Sequence, residues 1–379
     1  MAWNWQHADW PNFAWTQDKL LRAERLFAEG AGIMIGASRH LSPEGRDALV
    51  VDVLSSDAVD TSAIEGEVLD RDSVQSSIRR QFGLASDQRK SGAAEAGIAE
   101  MMGSLYRSLA DPLDQACLCD WHRMLMNGRR DLGTIGPYRT HPDPMRIVSG
   151  AVYAPRVHFE APPSDRVPME MERFLAWLRN TEVGGAYLQP VTRAGIAHLW
   201  FESIHPFEDG NGRIGRAIAE KILSSGTSEP ALVPLASTLL THRKAYYAAL
   251  EAASRSLEIT DWLLWFAAKV IEAQRRSLAL VEFTIAKTRL FDRVQGQLNP
   301  RQEKAVLRLF AAGPDGFTGG LSAGNYRRIT GATTATATRD LADLVALDVL
   351  SRTGERKSTR YHLKVPIQPV RPITIADIT

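Results

Sequence analysis

The stretch His205-Pro-Phe-Glu-Asp-Gly-Asn-Gly-Arg-Ile-Gly-Arg216 decides how this sequence is interpreted. Pro206 disfavours helical backbone at His205, so a helix is expected to end there. Gly210 and Gly212 permit tight turning and let backbone N–H groups approach a ligand closely. The next helix is expected to begin near Gly212, and a helix N-terminus binds anions. The stretch therefore predicts two helices joined by a loop that contains an anion site.

The residues of this loop suit the chemistry of phosphate transfer. Arg213 and Arg216 are three residues apart and share one helical face at the predicted anion site. Asp209 lies where a carboxylate can hold a Mg²⁺ ion that bridges phosphate oxygens. His205 can accept a proton near neutral pH, since an unperturbed histidine has a pKa of about 6.5. A base, a metal ligand and an anion cradle in one loop indicate nucleotidyl or phosphoryl transfer, with a polyphosphate as ligand.

Each of these residues alone is more typical of an ordinary turn with a core histidine and surface arginines. Only the complete string favours a nucleotide site. Competing signatures are absent, because the sequence contains no G-x-x-x-x-G-K-[ST], no G-x-S-x-G and no H-E-x-x-H.

Composition excludes several other classes of protein. The 379 residues include 45 Lys and Arg and 44 Asp and Glu, and this formal net charge of +1 predicts no global attraction to nucleic acid or membranes. Cys117 and Cys119 are too few for a disulfide framework or a zinc site. The N-terminus lacks the pattern of a signal peptide, and the densest apolar run, Trp262–Ile271, is too short to span a membrane. We therefore expect a soluble, cytoplasmic protein of two or three domains.

Apolar residues at helical spacing dominate the rest of the chain. They predict helices over 17–37, 45–65, 88–108, 113–126, 166–180, 190–204, 213–225, 241–254 and 259–294. Between Gly133 and Pro163 the sequence is rich in Gly, Pro and β-branched residues, and the pair Ser149-Gly150 predicts a β-hairpin turn. The tryptophans at the N-terminus favour a cap that packs onto the helical core over a ligand-stacking surface.

The last part of the chain has a different pattern. Helices are predicted over 299–312, 321–329 and 333–347, followed by two strands around a charged turn between 349 and 363. Three helices and a basic hairpin are typical of a winged helix-turn-helix. Residues 297–364 hold eleven Lys or Arg against six Asp or Glu. However, Asp340 and Asp343 on the third helix would repel DNA phosphates, so protein contact or dimerisation is favoured over DNA binding.

The central stretch matches the Fic signature H-x-F-x-[DE]-G-N-G-R-x-x-R, and the chain resembles Fic-type protein adenylyltransferases. The matching positions are His205, Phe207, Asp209, Gly210, Asn211, Gly212, Arg213 and Arg216. The resemblance implies transfer of AMP from ATP to a Ser, Thr or Tyr hydroxyl of a target protein, with Mg²⁺ as cofactor. The implied fold is mainly α: a Fic helical bundle with a β-hairpin flap at about 145–158, a helical N-terminal domain and a C-terminal winged helix.

The resemblance also implies a role for each residue of the motif. His205 would deprotonate the target hydroxyl, and Asp209 would bind the metal ion. The remaining nucleotide contacts would come from Gly210, Asn211, Gly212, Arg213, Gly215 and Arg216. Tyr246 and Tyr247 lie where such enzymes contact adenine, although core packing is an equal alternative for both.

A second motif stands upstream, at Thr61-Ser-Ala-Ile-Glu65-Gly66. It resembles the Fic inhibitory motif [ST]-x-x-x-E-[GN]. Thr61 and Glu65 are four residues apart and share a helical face, and Gly66 is a natural C-terminal cap. The resemblance implies that Glu65 enters the ATP site, pairs with Arg216 and misplaces the γ-phosphate. The alternative is a solvent-facing glutamate before a helix cap.

These patterns predict five segments. They are an N-terminal helical domain over 1–95 that carries 61–66, a catalytic core over 96–255, a connecting helix over 256–296, a winged helix-turn-helix over 297–366 and a tail over 367–379. The N-terminal and C-terminal parts resemble domains that flank Fic cores. A homodimer is usual for such chains, and the same site could also remove AMP. Two alternatives stay open: another nucleotide donor, or a nucleotide-sensing DNA-binding regulator.

Overall fold

In a computed structural model, the described residues are 2–85, 89–151, 154–182, 185–225, 233–313, 319–365 and 370–379. The α-helices are α1 Leu21–Ser38, α2 Pro43–Ile64, α3 Arg71–Gln81, α4 Ala93–Arg107, α5 Gln115–Leu125, α6 Val167–Asn180, α7 Pro190–Ile204, α8 Asn211–Ser224, α9 Leu235–Thr241, α10 Arg243–Ala253, α11 Thr260–Arg293, α12 Pro300–Phe310, α13 Ala323–Thr330 and α14 Thr334–Ala346. The strands are β1 Arg146–Ala151, β2 Ala154–Glu160, β3 Leu350–Thr353 and β4 Arg360–Leu363. The prediction of a mainly helical fold with a small β-hairpin is confirmed.

The chain forms two compact units. The first unit comprises Met1–Ile35, Val50–Gln274 and Pro372–Thr379, and the second comprises Gly36–Leu49 and Arg275–Arg371. The final residues therefore belong to the first unit, where Ile373 and Ile378 are buried in the hydrophobic core. None of the described helices is both long and apolar enough to cross a membrane.

Helix α7 lies at the centre of the first unit. It is apolar on all sides, as expected of a helix that is surrounded by protein. Its buried residues run from Val191 almost without interruption to Ile204. Helix α8 packs along it, with Ile214 and Ile218 fully buried. The loop that joins α7 to α8 is therefore anchored at both ends by rigidly packed helices.

The N-terminal tryptophans pack on this core, which confirms the predicted cap. Trp3, Trp5 and Trp10 are buried. The Trp10 indole donates a hydrogen bond to Glu170 at 2.9 Å and contacts the Trp200 ring edge-on at 6.1 Å between centroids. The Trp5 indole likewise donates to the Glu160 carbonyl at 2.7 Å, so the polar groups of these two rings have partners inside the unit, as buried tryptophans usually do.

The hairpin is present, but its predicted turn is wrong. Ser149 and Gly150 lie inside β1, where they pair with Arg156 and Pro155 of β2. The last pair of the ladder joins Ala151 and Ala154, and residues 152–153 between them lie outside the described residues. Gly150 has a φ of +93°, a conformation that glycine adopts in strands as readily as in turns. The glycine was therefore an ambiguous signal.

Two helical segments were not expected from the sequence. Helix α3 is polar and rich in serine, so its hydrophobic pattern is weak. Its start is stabilised by the Asp70 side chain, which accepts a hydrogen bond from the Ser73 backbone at 2.8 Å. The short helix α9 lies between the helices predicted over 213–225 and 241–254, in a stretch where no helix is predicted.

Helix α2 is joined to α8 by a pair of buried carboxyl groups. Asp57 of α2 hydrogen-bonds Glu220 of α8, and burial raises the pKa of both groups. The backbone N–H groups of Ala236 and Leu235 donate to them at 3.0 and 3.1 Å. Two carboxyl groups in contact cannot both ionise cheaply, so they share a proton.

The second unit contains α12 to α14 and the β3–β4 hairpin, together with the second half of α11 and the start of α2. Asp340 of α14 is buried there and accepts hydrogen bonds from Arg301, Tyr326 and Asn299. The expectation that Asp340 presents a repelling charge to a partner is therefore wrong. Its carboxylate instead connects α14 to α12 and α13.

We predict that Asp57→Asn makes the stability of the protein less dependent on pH. A carboxyl whose pKa is raised on folding keeps its proton where the unfolded chain releases it, so it stabilises the fold at low pH. This contribution is lost as the pH rises from the ordinary carboxyl range towards neutrality. The asparagine amide can donate to Glu220 without a titratable proton. The midpoint of thermal unfolding, measured at ~pH 5 and ~pH 8, should therefore differ less in the variant than in wild type.

The control for this experiment is Asp52→Asn. Asp52 is exposed on the same helix and accepts a hydrogen bond from Gln75. Its removal should leave the pH dependence of unfolding unchanged. An Asp57→Asn protein with the wild-type pH dependence would show that the pair does not share a proton.

Candidate active site

The loop between α7 and α8 is held by its own side chains. His205 ends α7 in the left-handed region, with a φ of +51°, and Gly210 precedes α8 with a φ of +80°. The Asn211 side chain accepts from the Phe207 N–H at 2.9 Å and donates to the Phe207 carbonyl at 2.8 Å. The Phe207 ring is fully buried and stacks on His122. The Asn211 amide thus braces the loop from inside.

His205 lies at the end of α7 with its ring largely buried. Burial, followed by the charge of Arg139, lowers the pKa of His205 to about 4. The Arg139 guanidinium donates to the His205 carbonyl at 2.8 Å. Because the imidazole is neutral at pH 7, it is in the form that can accept a proton.

A buried carboxyl that sequence reasoning missed lies behind this histidine. Glu202 Oε2 is 4.0 Å from His205 Nδ1. Burial, followed by the charge of Glu65, raises the pKa of Glu202 to about 8. Glu202 is therefore protonated at neutral pH. A β-carbon at Gly215 would collide with Glu202 Oε1, so Gly215 packs against α7.

Arg216 is almost fully buried and is held by the end of α2. Its Nε donates to Thr61 Oγ1 at 2.7 Å, and its Nη2 donates to the Thr61 carbonyl at 3.0 Å and to Glu65 Oε1 at 2.7 Å. Burial disfavours the guanidinium charge, but the Glu65 carboxylate outweighs it and raises the pKa of Arg216. The structure thus brings Arg216 into contact with two residues that lie 155 and 151 positions earlier in the sequence.

The Glu65 carboxylate lies directly over the first turn of α8. A β-carbon at Gly212 would collide with Glu65 Oε1, and its next neighbour would be Arg216 Nη1 at 3.2 Å. That Nη1 has no hydrogen-bond partner among the described residues. A carboxylate thus occupies the anion site that the sequence predicts at the start of this helix.

The turn after α2 fixes this carboxylate. Gly66 has a φ of +89°, as the predicted cap requires. The N–H of Glu67 donates to the Ser62 carbonyl at 3.0 Å and that of Gly66 to the Ala63 carbonyl at 3.1 Å. These two bonds form a Schellman motif, a well-defined helix ending.

The other arginine of the motif, Arg213, also has a carboxylate partner. Arg213 is largely buried and donates to Glu67 Oε2 at 2.6 Å. Its other nitrogen, Nη2, lies 3.5 Å from Asp209 Oδ1. Glu67 lies one position beyond the motif Thr61–Gly66, and nothing in the sequence indicates that it belongs to the site.

Asp209 faces two arginines. Arg129 Nη1 donates to Asp209 Oδ2 at 2.7 Å. Burial alone would raise the pKa of Asp209, but the hydrogen bond from Arg129 and the charge of Arg213 lower it. Among the described residues, no group of three or more His, Cys, Asp or Glu side chains could hold a metal ion. Asp209 therefore offers one carboxylate ligand, and an ion there would need oxygens from a ligand or from water.

The two tyrosines of α10 lie in different environments. Tyr246 is buried, and its hydroxyl lies 2.7 Å from His198 Nε2, so it belongs to the core. Tyr247 is 39% exposed, and its hydroxyl donates to the Ile64 carbonyl at 3.1 Å. Of the two, only Tyr247 borders the anion site.

The hairpin is attached to α10 beside these tyrosines. Glu251 of α10 contacts His158 Nδ1 at 2.8 Å and Arg156 at 2.9 Å. Both partners belong to β2. The side chains of Ile147 and Val148 on β1 are exposed. The hairpin is thus held to α10 through β2, and β1 exposes two apolar side chains.

Family profiles match two parts of the chain. A domain of unknown function, DUF4172, matches residues 3–84, and the Fic/DOC family matches residues 112–223. Similar proteins include a probable protein adenylyltransferase of Aquifex aeolicus, 38% identical over 77 residues, and the protein adenylyltransferase fic-1 of Caenorhabditis elegans, 30% identical over 126 residues. These matches span 20% and 33% of this chain but only 21% and 22% of the relatives.

Solved structures share the fold. A Fic family protein from Desulfovibrio desulfuricans aligns with a TM-score of 0.51 and 24% identity, over 92% of this chain and 97% of that one. A Fic domain containing signalling protein from Bacteroides thetaiotaomicron aligns with a TM-score of 0.50 and 17% identity, over 69% and 97%. Residues 112–223 of this chain therefore match the Fic/DOC family in sequence, and the solved structures share the mainly helical fold.

Proposed function

We propose that this chain is an autoinhibited protein adenylyltransferase. The observation that carries the proposal is the placement of His205, Asp209, Arg213 and Arg216 around the start of α8, with Glu65 inserted among them. In the reaction, a hydroxyl of the target protein attacks the α-phosphorus of ATP. The bond between the α- and β-phosphates breaks, pyrophosphate leaves, and His205 takes the hydroxyl proton. Relatives named protein adenylyltransferases support this reaction class.

The phosphates of ATP fit the first turn of α8. The helix dipole favours negative charge there, and Gly212 lets phosphate oxygens approach the backbone closely. Arg216 Nη1 is buried beside Gly212 without a hydrogen-bond partner among the described residues. Because an unpaired buried donor costs free energy, an incoming phosphate oxygen would be favoured at this point.

Mg²⁺ would arrive with the nucleotide. Asp209 is a hard oxygen donor at the edge of the phosphate site and fits as one ligand of an ion that keeps several waters. The ion would neutralise charge on the phosphates. Asp209 must release Arg129 or Arg213 to take this role, since both contact its carboxylate.

The target chain would dock against the hairpin. The exposed β1 strand could accept an extended segment by strand addition, and Ile147 and Val148 offer apolar contacts. His205 would then face the target hydroxyl. Tyr247 would contact the adenine ring, whereas buried Tyr246 would support it from the core.

Inhibition follows from the position of Glu65. Its carboxylate fills space over Gly212 and engages Arg216, and a phosphate of bound ATP would need both. We propose that ATP binds but seats its γ-phosphate wrongly until Glu65 leaves. Breaking a fully buried ion pair costs about 3–5 kcal/mol, and this pair contributes less because the Glu65 side chain is 30% exposed. A 100-fold repression requires a bias of only about 2.7 kcal/mol, so one pair is sufficient.

We predict that His205→Ala abolishes AMP transfer and leaves ATP binding largely intact. A positioned base contributes ~10²–10⁴-fold to a rate. Intact-protein mass spectrometry after incubation with ATP and Mg²⁺ would follow the gain of one AMP, and calorimetry would follow ATP binding. The control is His7→Ala, since His7 is exposed. Transfer at the wild-type rate would remove His205 from the mechanism.

We predict that Asp209→Asn lowers the transfer rate strongly and raises the Mg²⁺ concentration needed for half-maximal activity. Loss of one carboxylate ligand weakens metal binding without eliminating it, so excess Mg²⁺ should restore part of the rate. Asp131→Asn is the matched control, because Arg129 holds both carboxylates and Asp131 is exposed. An equal Mg²⁺ requirement in all three proteins would contradict a metal role for Asp209.

We predict that Glu65→Ala raises self-modification well above the wild-type rate, up to about 100-fold. Adding Arg216→Ala should not raise it further, because the released arginine is itself needed for the γ-phosphate. Glu29→Ala, which removes an exposed glutamate from α1, is the control. If Glu65→Ala binds ATP and is no more active than wild type, the inhibitory assignment is wrong.

A further inference from the structure

We propose that Glu67 is a further residue of the nucleotide site, whose carboxylate competes with a phosphate of the nucleotide for Arg213. This inference rests on the proposed nucleotide site and extends it. Glu65 and Arg216 account for only one arginine of the motif. The other arginine, Arg213, is engaged by a different carboxylate, that of Glu67, at 2.6 Å.

Both carboxylates are delivered by the same rigid turn. Glu65 and Glu67 flank Gly66, whose positive φ closes the Schellman motif at the end of α2. This backbone geometry brings residues on both sides of Gly66 to the first turns of α8. One local element thus pairs with both motif arginines.

The surroundings of Arg213 show why its partner matters. The side chain of Arg213 is only 6% exposed, and its Nε has no hydrogen-bond partner among the described residues. Asp209 lies 3.5 Å from its Nη2, so two carboxylates face this guanidinium. A nucleotide phosphate that binds the terminal nitrogens of Arg213 would therefore displace Glu67.

The Glu67 side chain stays partly exposed to solvent in its pair with Arg213. Its side chain is 38% exposed, against 30% for Glu65, and its arginine is less buried than Arg216. Exposed ion pairs are weaker than buried ones. Glu67 therefore weakens the binding of a polyphosphate without excluding it. The nucleotide must bring enough negative charge to replace this carboxylate.

The experiment compares the affinities of ATP and AMP for wild type, Glu67→Ala and Glu67→Gln by calorimetry. Removing the carboxylate frees Arg213 for the outer phosphates, so both variants should bind ATP about 3- to 10-fold more tightly. AMP lacks the outer phosphates, and its affinity should not change. The gain for ATP should shrink as salt rises, because the freed charge is screened.

Two controls separate this pair from a general effect of charge. Glu29→Ala removes one negative charge from the exposed pair of Glu29 with Arg25 and should leave both affinities unchanged. In an Arg213→Ala background, Glu67→Ala should not change the affinity for ATP, because the arginine that Glu67 contacts is already absent. Glu67→Gln keeps the size of the side chain and guards against loss of folding.

The outcomes distinguish this inference from the proposed function. If wild type binds no ATP, the proposed nucleotide site fails. If wild type binds ATP and both Glu67 variants bind it equally well, only the role of Glu67 is overturned. A gain that persists without Arg213, or that appears equally for AMP, would also overturn it.

Discussion

The buried guanidinium of Arg216 is the constraint on which the site depends. An isolated charge inside a protein costs several kcal/mol, so it must be paired and hydrogen-bonded. In this chain Thr61 and Glu65 supply the partners. That requirement ties the end of α2 to the start of α8. The segment Thr61–Gly66 is therefore part of the native packing of the first unit, and under the proposed function the arginine that holds it is one that the nucleotide needs.

The sequence predicted the parts of the site that are local and failed for those that are not. The α7–loop–α8 turn follows from His205, Pro206 and the glycines, because backbone preferences act between neighbours. The contact of Glu67 with Arg213 spans 146 residues, and that of Arg129 with Asp209 spans 80. No periodicity or capping pattern encodes such contacts. Only a motif already known as a unit, such as Thr61–Gly66, could bridge them.

The same distinction holds for the fold. Helix α7 was predicted with its observed bounds because it is long and mainly apolar. Helix α3 was missed because polar residues give no periodic signal, and its place depends on packing and on the Asp70 cap. Glu202 was missed for a related reason. In the sequence, a glutamate three residues before His205 cannot be distinguished from a surface glutamate. Its pKa of about 8 results from burial and from the charge of Glu65 in the folded chain.

The charge states of Glu65, Glu202 and Arg216 bear on how the proposed inhibition by Glu65 could be reversed. Glu202 is protonated at neutral pH, so Glu65 supplies the negative charge that Arg216 contacts directly. Removing Glu65 into water would leave the guanidinium unpaired, which is costly. A bound polyphosphate changes this balance, because its oxygens can replace the carboxylate. The exchange of one anion for another costs far less than the loss of either. Under the proposed function, a signal that relieves inhibition would need only to favour one anion over the other by a few kcal/mol, by binding the end of α2 when it is displaced.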